Sequence, residues 1–498
     1  MSTASRETPD WLAARLGIDG RALAAFRIAL GVVLLVDVLT RARHLRALYT
    51  DAGIVPRSSV LAEYGGVYEV VLSLPDPWFP VLLFPIGALC ALALIAGVRP
   101  RLAAFGALLT LVLLQMRNPF VLNGGDVILR ILVIWALFLP LGQHSLREPD
   151  SPDRVVSVAT AGLVLQVVIV YVVNATHKLD SEAWRAGTAV ADVFRTEQYT
   201  YLLADWIGEW LVGSGLLTLG TYAWFALLLA SPLLLLSTGR LRTGLVSAFI
   251  LFHAGMLLTL SVGHFPLVSI TGLLVLYPSS AWDWLAHAGR RIQSHVEPLS
   301  IGAGVVDSTA DRWNSLSRPV RQRGRSLRSA VPKPVRHTTR RLVLSGLPAI
   351  IVVFSLLSAA GAAGVVDTPD SADSAVETAD LGQDWRMFAP DPPDHSWWIA
   401  TPATRPDGSS VDAFHDESLA PDSPAQADRM ASFRWRKYFQ KIRHEEGSIH
   451  HAEYARYLCA NRNIDSVAIY HGYQSTDPGR TEFGGETLAS FECTDFAD

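Results

Sequence analysis

Nine long apolar stretches constrain this chain more than any other feature of its sequence. They cover approximately residues 23–40, 79–97, 102–116, 127–142, 155–174, 216–236, 244–262, 265–278 and 342–366. A helix needs about 20 mostly apolar residues to cross the hydrocarbon core of a bilayer. Only 18% of the residues are charged, whereas soluble proteins average about 25%. The sequence therefore predicts an all-α polytopic membrane bundle of about nine transmembrane helices, and it excludes a large soluble enzyme.

The distribution of charge predicts how the chain is oriented. Lys and Arg collect in one set of alternating loops, above all in residues 279–341. From Asp367 onward, by contrast, the chain has 24 acidic residues against 11 Lys and Arg. Because cytoplasmic loops retain Lys and Arg, we predict a multi-pass cell-membrane protein with a cytoplasmic N-terminus and an extracytoplasmic C-terminal domain.

Composition divides the chain into four segments. We predict a transmembrane bundle over residues 1–278, a basic cytoplasmic linker over 279–341, a last transmembrane helix over 342–366 and an acidic extracytoplasmic domain over 367–498. The last segment contains aromatic residues and strand-like stretches, which indicates a small α+β or mostly β domain. Cys459 and Cys493 fall outside the membrane, where a disulfide can persist, although their spacing does not determine the pairing. No basic surface with interleaved aromatic residues indicates nucleic acid as a partner.

Polar residues at membrane depth are the strongest functional signal, because they are costly there and usually face a bundle interior or a cavity. They fall at the outer ends of the third to fifth stretches and in the seventh stretch: Asn118, Asn123, Asp126, Asn174, His177, Lys178 and His253. Several helices thus deliver polar groups to the same leaflet, where we expect a polar cavity covered by the C-terminal domain.

Simpler structural roles are alternatives for several of these residues. Asp126 and Arg130 are spaced i, i+4 and can neutralise each other within one helix. Asp37 is close enough to the end of the first stretch to reach the interface. His253 has the default role of a hydrogen-bonded histidine inside the bundle, and Trp184, Trp206 and Trp210 are expected in an interfacial aromatic belt.

Lys178 has two interpretations that differ in the solvation of its amine. A lysine at a helix end commonly extends to the interface, whereas a lysine desolvated in a pocket can lose its proton and serve as a base. The sequence contains no phosphate-binding glycine loop, no His-Glu-x-x-His and no nucleophile elbow. Signatures of the common soluble enzymes are therefore absent from the sequence.

A series of short motifs, in fixed order against the apolar stretches, resembles a known family. The motifs are YTDAGIVPR, RNPFVLNGGD, LFLPLG, HKLDSEAWRAG and FHAGM, followed by QDWRMFAPDPP and RWRKY near the C-terminus. In order and spacing they resemble the horizontally transferred transmembrane (HTTM) domain, which is shared with vitamin K-dependent γ-glutamyl carboxylases. The resemblance covers nearly the whole chain except the basic linker and the extreme ends.

The resemblance implies a reaction and a set of site residues. In the carboxylases, the lysine that corresponds to Lys178 is the proposed base that deprotonates a reduced naphthoquinone. The quinol reacts with O2 to give an epoxide and a stronger base, which removes a γ-proton from a glutamate that then adds CO2. We therefore expect Lys178 to be catalytic. The expected partners are the bilayer, a quinol and a peptide or protein that carries glutamate. We expect no metal to be involved. The expected helpers of Lys178 are Asp126 and His177, and the expected substrate-binding residues are Asn118, Asn123, Asn174, His253 and Trp385.

Two departures from the carboxylase pattern leave other functions open. The carboxylases have Asn-Asn-His where this chain has Asn123, Gly124, Gly125 and Asp126, and a second carboxylase histidine falls at Pro390. One alternative is therefore a non-catalytic HTTM membrane module that binds a lipid, a peptide or a protein. A transporter that uses the same polar residues as a path is a further alternative, although no inverted pair of broken helices is evident.

Overall fold

The computed structural model describes residues 9–142, 154–296, 342–367, 382–418, 430, 432–444, 448–476 and 482–496. The α-helices in these ranges are, in chain order, α1 (Asp10–Leu16), α2 (Gly20–Ala42), α3 (Leu45–Tyr49), α4 (Arg57–Glu63), α5 (Val67–Leu72), α6 (Trp78–Ala96), α7 (Pro100–Arg117), α8 (Gly124–Phe138), α9 (Val158–Leu179), α10 (Glu182–Ala186), α11 (Ala189–Arg195), α12 (Leu203–Gly213), α13 (Leu216–Leu229), α14 (Leu233–Leu236), α15 (Gly239–Thr259), α16 (Phe265–Leu273), α17 (Ser279–Val296), α18 (Leu347–Ala362), α19 (Phe433–Ile442) and α20 (Ile449–Asn461). The strands are β1 (Ile18–Asp19), β2 (Arg154–Val155), β3 (His395–Ala400), β4 (Pro402–Thr404), β5 (Ser410–Asp412), β6 (Ser466–Ser475) and β7 (Phe483–Glu492).

Within the described ranges, six helical segments are long and apolar enough to cross a membrane. They are α2, α6, α7, α9, α15 and Leu342–Ala362, which contains α18. Two further pairs, α12 with α13 and Phe265–Leu276 with Ser279–Ala288, bend by 99° and 103° and bring the count to eight if each pair is one span. The structure therefore confirms a multi-pass helical membrane protein, but it does not confirm the predicted count of nine.

The fourth predicted span has no counterpart among these six to eight candidates. It forms α8, which has only 15 residues and so rises about 22 Å at 1.5 Å per residue. Its N-terminus is set by a capping box, because the side chain of Asn123 accepts from the Asp126 N–H and the Asp126 carboxylate accepts from the Asn123 N–H. Most of α8 is buried inside the bundle, so its short length does not expose backbone ends to lipid.

Helix α9 is the centre of the bundle, and its position explains why its polar end is buried. Of the six spanning segments it is the most enclosed by protein. Gly162 allows the close approach of α8, because a Cβ atom at this position would collide with the indole of Trp135. Trp135 is itself fully buried. The C-terminal end of α9 is enclosed as well, because Asn174 and Lys178 are 2% and 1% exposed.

The C-terminal domain is an α+β domain built on one antiparallel sheet. The long strand β6 is central: it pairs with β7 on one side and with β3 and β4 on the other, and β5 pairs with β4. Helices α19 and α20 contribute Trp435, Phe439 and Tyr454 to a core shared with the sheet. Cys459 and Cys493 form a disulfide between the end of α20 and the end of β7, which is the pairing that the sequence left undetermined.

The C-terminal domain packs directly on one end of the bundle. A single hydrophobic cluster contains Val38, Leu114 and Phe120 from the bundle together with Trp397 and Trp435 from the domain. The predicted basic linker begins with α17, and its residues 297–341 lie outside the described ranges. The side of the membrane on which the domain lies stays a prediction from the charge pattern.

Candidate functional site

A cavity of about 660 Å³ lies between the C-terminal domain and the end of the bundle that carries Asn174 and Lys178. Its wall is mostly apolar and aromatic, with a few cationic and amide side chains. Its lining includes Asn123, Gly124, Asn174, Lys178, Trp184, Tyr199, Leu217, Gly220, Trp224, Leu251, Gly255, Phe265, Met387, Phe388, Arg436 and Lys437. An apolar enclosure with a few converging polar groups is typical of sites that bind small molecules.

Lys178 lies on the wall of this cavity and is 1% exposed. Its Nζ donates to the carbonyl of Met387 at 2.6 Å and lies 4.2 Å from the centre of the Trp184 ring. Among the described residues, no carboxylate oxygen comes within 4 Å of this nitrogen. The structure therefore places Lys178 in a desolvated pocket, which is the second of its two interpretations.

Residues 383–388, here called the strap segment, close the cavity beside Lys178. The Asn174 side chain donates to the carbonyl of Trp385 at 2.7 Å, and the Trp184 indole donates to the carbonyl of Phe388 at 2.8 Å. Side chains of Asn174, Lys178 and Trp184 thus donate to three carbonyls of the QDWRMF motif. The prediction of an interfacial belt is wrong for Trp184, which is buried and contacts the strap segment, whereas Trp206 and Trp210 are exposed.

Two predicted site residues, His177 beside the strap segment and Trp385 within it, do not line the cavity. His177 Nε2 is 3.0 Å from a carboxylate oxygen of Asp384, because its position in the helix turns it away from the direction of Lys178. Trp385 is buried, and its indole donates to the Gln383 side chain at 3.0 Å. Trp385 therefore reaches the cavity region through its backbone carbonyl rather than as an open ring.

The remaining predicted binding residues occupy separate places. His253 is fully buried with Nε2 at 3.0 Å from the Tyr171 hydroxyl, which agrees with its default role inside the bundle. Asn118 donates to the carbonyl of Leu48 at 2.7 Å and caps a short 3₁₀ turn, away from the cavity lining. Asn123 does line the cavity, and its amide donates to the carbonyl of Val262 at 3.2 Å.

Asp126 belongs to a buried ion cluster that also contains Asp37, Arg41 and Arg434. Arg41 pairs with both carboxylates, and Arg434 Nη2 lies 2.6 Å from Asp37 and 3.1 Å from Asp126. The predicted pairing of Asp126 with Arg130 is therefore replaced by pairing with two arginines from other elements, and Arg130 instead donates to Gln115 at 2.7 Å. The prediction that Asp37 reaches the interface is also wrong, because Asp37 is fully buried.

The ion cluster resembles a metal site only in its residue types. Ligand atoms of Asp37, Asp126 and His264 lie within 4.8 Å of one another, and each ring nitrogen of His264 is 3.7 Å from one of the carboxylates. Arg41 and Arg434, however, already neutralise both carboxylates. The donor set therefore fits an internal charge balance between the bundle and the C-terminal domain better than a divalent cation.

The model of the HTTM domain matches residues 17–284, which is more than half of the chain. The chain belongs to the HTTM domain family. No curated protein and no solved structure matches it. The HTTM match contains Lys178, Asn174 and the bundle side of the cavity, but it ends before the strap segment and α19. The cavity is thus built jointly by the HTTM domain and the C-terminal part of the chain.

The cationic residues contributed by α19 were not predicted as site residues. Arg436 and Lys437 both line the cavity, and the Arg436 guanidinium lies 4.4 Å from the centre of the Tyr199 ring while donating to the carbonyls of Gln198 and Ser261. Burial lowers the pKa of Lys437, and the neighbouring Arg436 charge lowers it further. The RWRKY motif was the signal that could have identified them. The sequence alone, however, does not show that this helix of the C-terminal domain packs on the bundle and lines the cavity.

Proposed function

We propose that this HTTM protein carries out quinol-dependent chemistry of the carboxylase type, with Lys178 as the base. The observation that carries the proposal is the Lys178 amine on the wall of a large apolar cavity without a carboxylate partner among the described residues. A buried amine of this kind can accept a proton, whereas an amine paired with a carboxylate is held in its charged form.

The residues around Lys178 fit a lipid-soluble aromatic ring. Trp184, Phe388 and Trp224 provide flat apolar surfaces on the cavity wall, and such surfaces bury and orient aromatic ligands. The Met387 carbonyl fixes the direction of the amine by accepting a hydrogen bond from it. With its direction fixed in this way, Lys178 Nζ would receive a proton from a hydroxyl of the ligand. A reduced naphthoquinone, when bound, would react with O2 and so generate a strong base. That base would be strong enough to deprotonate a glutamate, which then adds CO2.

A second candidate is a non-catalytic HTTM module that binds a lipid, a peptide or a protein. The observation that favours it concerns Asp126, which replaces a carboxylase histidine. Its carboxylate is occupied by Arg41 and Arg434 and is not part of the cavity wall. The residue expected to assist Lys178 therefore serves the ion cluster, which leaves His177 and Asn174 as the nearest polar groups on the same helix.

The deciding experiment follows epoxide formation by the purified protein in lipid, with reduced naphthoquinone, O2 and bicarbonate supplied. We expect epoxide with the wild type and a loss of about 100-fold or more in Lys178→Ala, the scale of a removed general base. Added methylamine should restore part of the rate, because it can enter the space left by the lysine side chain. Lys441→Ala, a lysine change outside the cavity, is the matched control.

Two results would count against the proposal. Epoxide formation by Lys178→Ala at the wild-type rate would remove Lys178 from the role of base. Absence of epoxide with a folded wild type and a fully reduced quinol would instead support the binding module.

A further inference from the structure

The cavity holds more positive charge than the proposed base requires. Lys178, Arg436 and Lys437 all lie on its wall, and the lining includes no Asp or Glu. In the part of the chain that the structure describes, no carboxylate oxygen lies within 4 Å of a nitrogen of these three side chains. Buried cations that lack a counter-charge are costly. The neutral quinol of the proposed function does not account for Arg436 and Lys437, and a glutamate carboxylate would pair with them but would leave the apolar wall of the cavity uncovered.

The cavity reaches the protein surface between α13 and α15. Leu251 lines the cavity and is nonetheless 72% exposed. Gly220 on α13 and Gly255 on α15 also line it, and a Cβ atom added at either position would meet no atom within 4 Å. Neighbouring Leu219 is 64% exposed. The gap is therefore apolar, unfilled and located on the surface that spanning helices present to the bilayer.

We propose that the cavity binds an anionic membrane lipid, with its phosphate against Arg436 and Lys437 and an acyl chain in the gap between α13 and α15. Phosphate is the group that arginine and lysine recognise by charge-assisted hydrogen bonds. The apolar wall that connects the cations to the gap suits a chain of CH₂ groups, each of which contributes about 0.8 kcal/mol on burial.

The route from the cations to the gap is continuous. Tyr199 stacks on Arg436 and lies 5.3 Å from the Phe388 ring, centre to centre. Phe388 and Trp224 continue the wall toward Gly220 and Gly255. A soluble phosphate would satisfy the cations but would leave this wall uncovered, so a lipid uses the whole cavity and a free anion does not. The inference does not depend on the proposed function, because it concerns binding without turnover.

The experiment uses the full chain in phosphatidylcholine vesicles that contain a photoactivatable phosphatidylglycerol, labelled in its acyl chain, or the matched phosphatidylcholine probe. After illumination, mass spectrometry maps the labelled residues. We expect the phosphatidylglycerol probe to label α13 and α15 around Gly220 and Gly255 more strongly than the phosphatidylcholine probe does. Lys437→Gln should reduce the preference by about twofold to fivefold, the range for one exposed or partly exposed ion pair.

Matched variants separate this site from general lipid contact. Lys441→Gln changes a lysine one turn further along α19, outside the cavity, and should preserve the preference. Gly255→Leu should abolish labelling inside the gap, whereas Gly244→Leu, an equally unobstructed glycine of α15 outside the cavity lining, should not. Because Arg436 is buried and bonded to two carbonyls, Arg436→Lys serves as its conservative test, with a smaller loss of preference.

Three outcomes would overturn the inference. Equal labelling by the two probes would show that the cavity does not discriminate between lipids by the charge of the headgroup. An equal effect of Lys437→Gln and Lys441→Gln would assign the preference to the general surface charge of α19. Competition by soluble glycerol 3-phosphate as strong as that by phosphatidylglycerol would identify a free anion as the occupant. None of these outcomes bears on epoxide formation, so the two proposals can fail separately.

Discussion

The ion cluster predicts a large energetic cost for removing Arg434. Two carboxylates and two guanidiniums balance in the cluster, and Arg434 is 1% exposed. Arg434→Met leaves Asp37 and Asp126 with only the Arg41 charge, so one buried negative charge is uncompensated. Breaking a buried ion pair by removing one partner costs about 3–5 kcal/mol. We therefore expect Arg434→Met to lower the free energy of unfolding by about this amount.

A compensating variant tests whether charge is the cause. Asp37→Asn combined with Arg434→Met leaves one carboxylate, Asp126, opposite Arg41 and restores neutrality. We expect the double variant to recover more than half of the stability lost by Arg434→Met. Arg405→Met provides the control, because Arg405 forms an exposed pair with Asp416 and such pairs contribute about 0–1 kcal/mol.

The assay is denaturant unfolding of the purified protein in detergent micelles, monitored by tryptophan fluorescence. A loss in Arg434→Met no larger than that in Arg405→Met would refute the reasoning. So would a double variant that is less stable than Arg434→Met, because stability would then follow lost contacts rather than unbalanced charge.

The remaining predictions concern the C-terminal domain and the cavity. The Glu63 carboxylate accepts from His450 at 2.6 Å and from Lys441 at 3.3 Å; burial raises its pKa, but these hydrogen bonds outweigh burial and hold the pKa below its ordinary value of 4.5. Since a lowered pKa contributes stability that is full above the ordinary value and is lost as pH falls through the folded value, the melting temperature of Glu63→Gln should lie below that of the wild type at neutral pH and converge with it in acid. Cys493→Ser should lower the unfolding free energy by about 2–4 kcal/mol, since the disulfide closes a loop across 34 positions; an equal loss in the wild type under reducing conditions would confirm the cause. Finally, phosphatidylglycerol should raise the apparent KM for the quinol without changing kcat, because both ligands would cover the same apolar wall, and an unchanged KM would show that they bind apart.

Local patterns in the sequence were sufficient to predict the spanning helices and the two-part organisation. Apolar length reports on burial in lipid, so α2, α6, α7, α9 and α15 coincide with predicted stretches. The same measure fails for α8, because a helix enclosed by protein does not need to reach both surfaces of the bilayer. The apolar side chains among its 15 residues pack against other helices. Hydropathy does not distinguish a helix buried by protein from a helix that spans the bilayer.

The candidate site was predictable only where its residues share one helix. Asn174 and Lys178 are four positions apart on α9, and both line the cavity. His177 directly precedes Lys178 and is therefore turned about 100° from it around the helix axis, so it contacts Asp384 instead. The partners of Asp126 could not be predicted in the same way, because Arg434 is 308 positions away in sequence and reaches Asp126 only when the C-terminal domain docks.

Helix α19 connects the ion cluster to the cavity. Arg434 enters the ion cluster, while Arg436 and Lys437, two and three positions later, form part of the cavity wall. Side chains two positions apart on a helix, such as Arg434 and Arg436, point in different directions. One rigid element can therefore pair with Asp126 through one side and line the cavity beside Lys178 through another. Docking of the C-terminal domain and closure of the cavity are therefore the same event in this fold. It follows that Arg434→Met should weaken lipid labelling in the gap as well as stability, although Arg434 does not line the cavity.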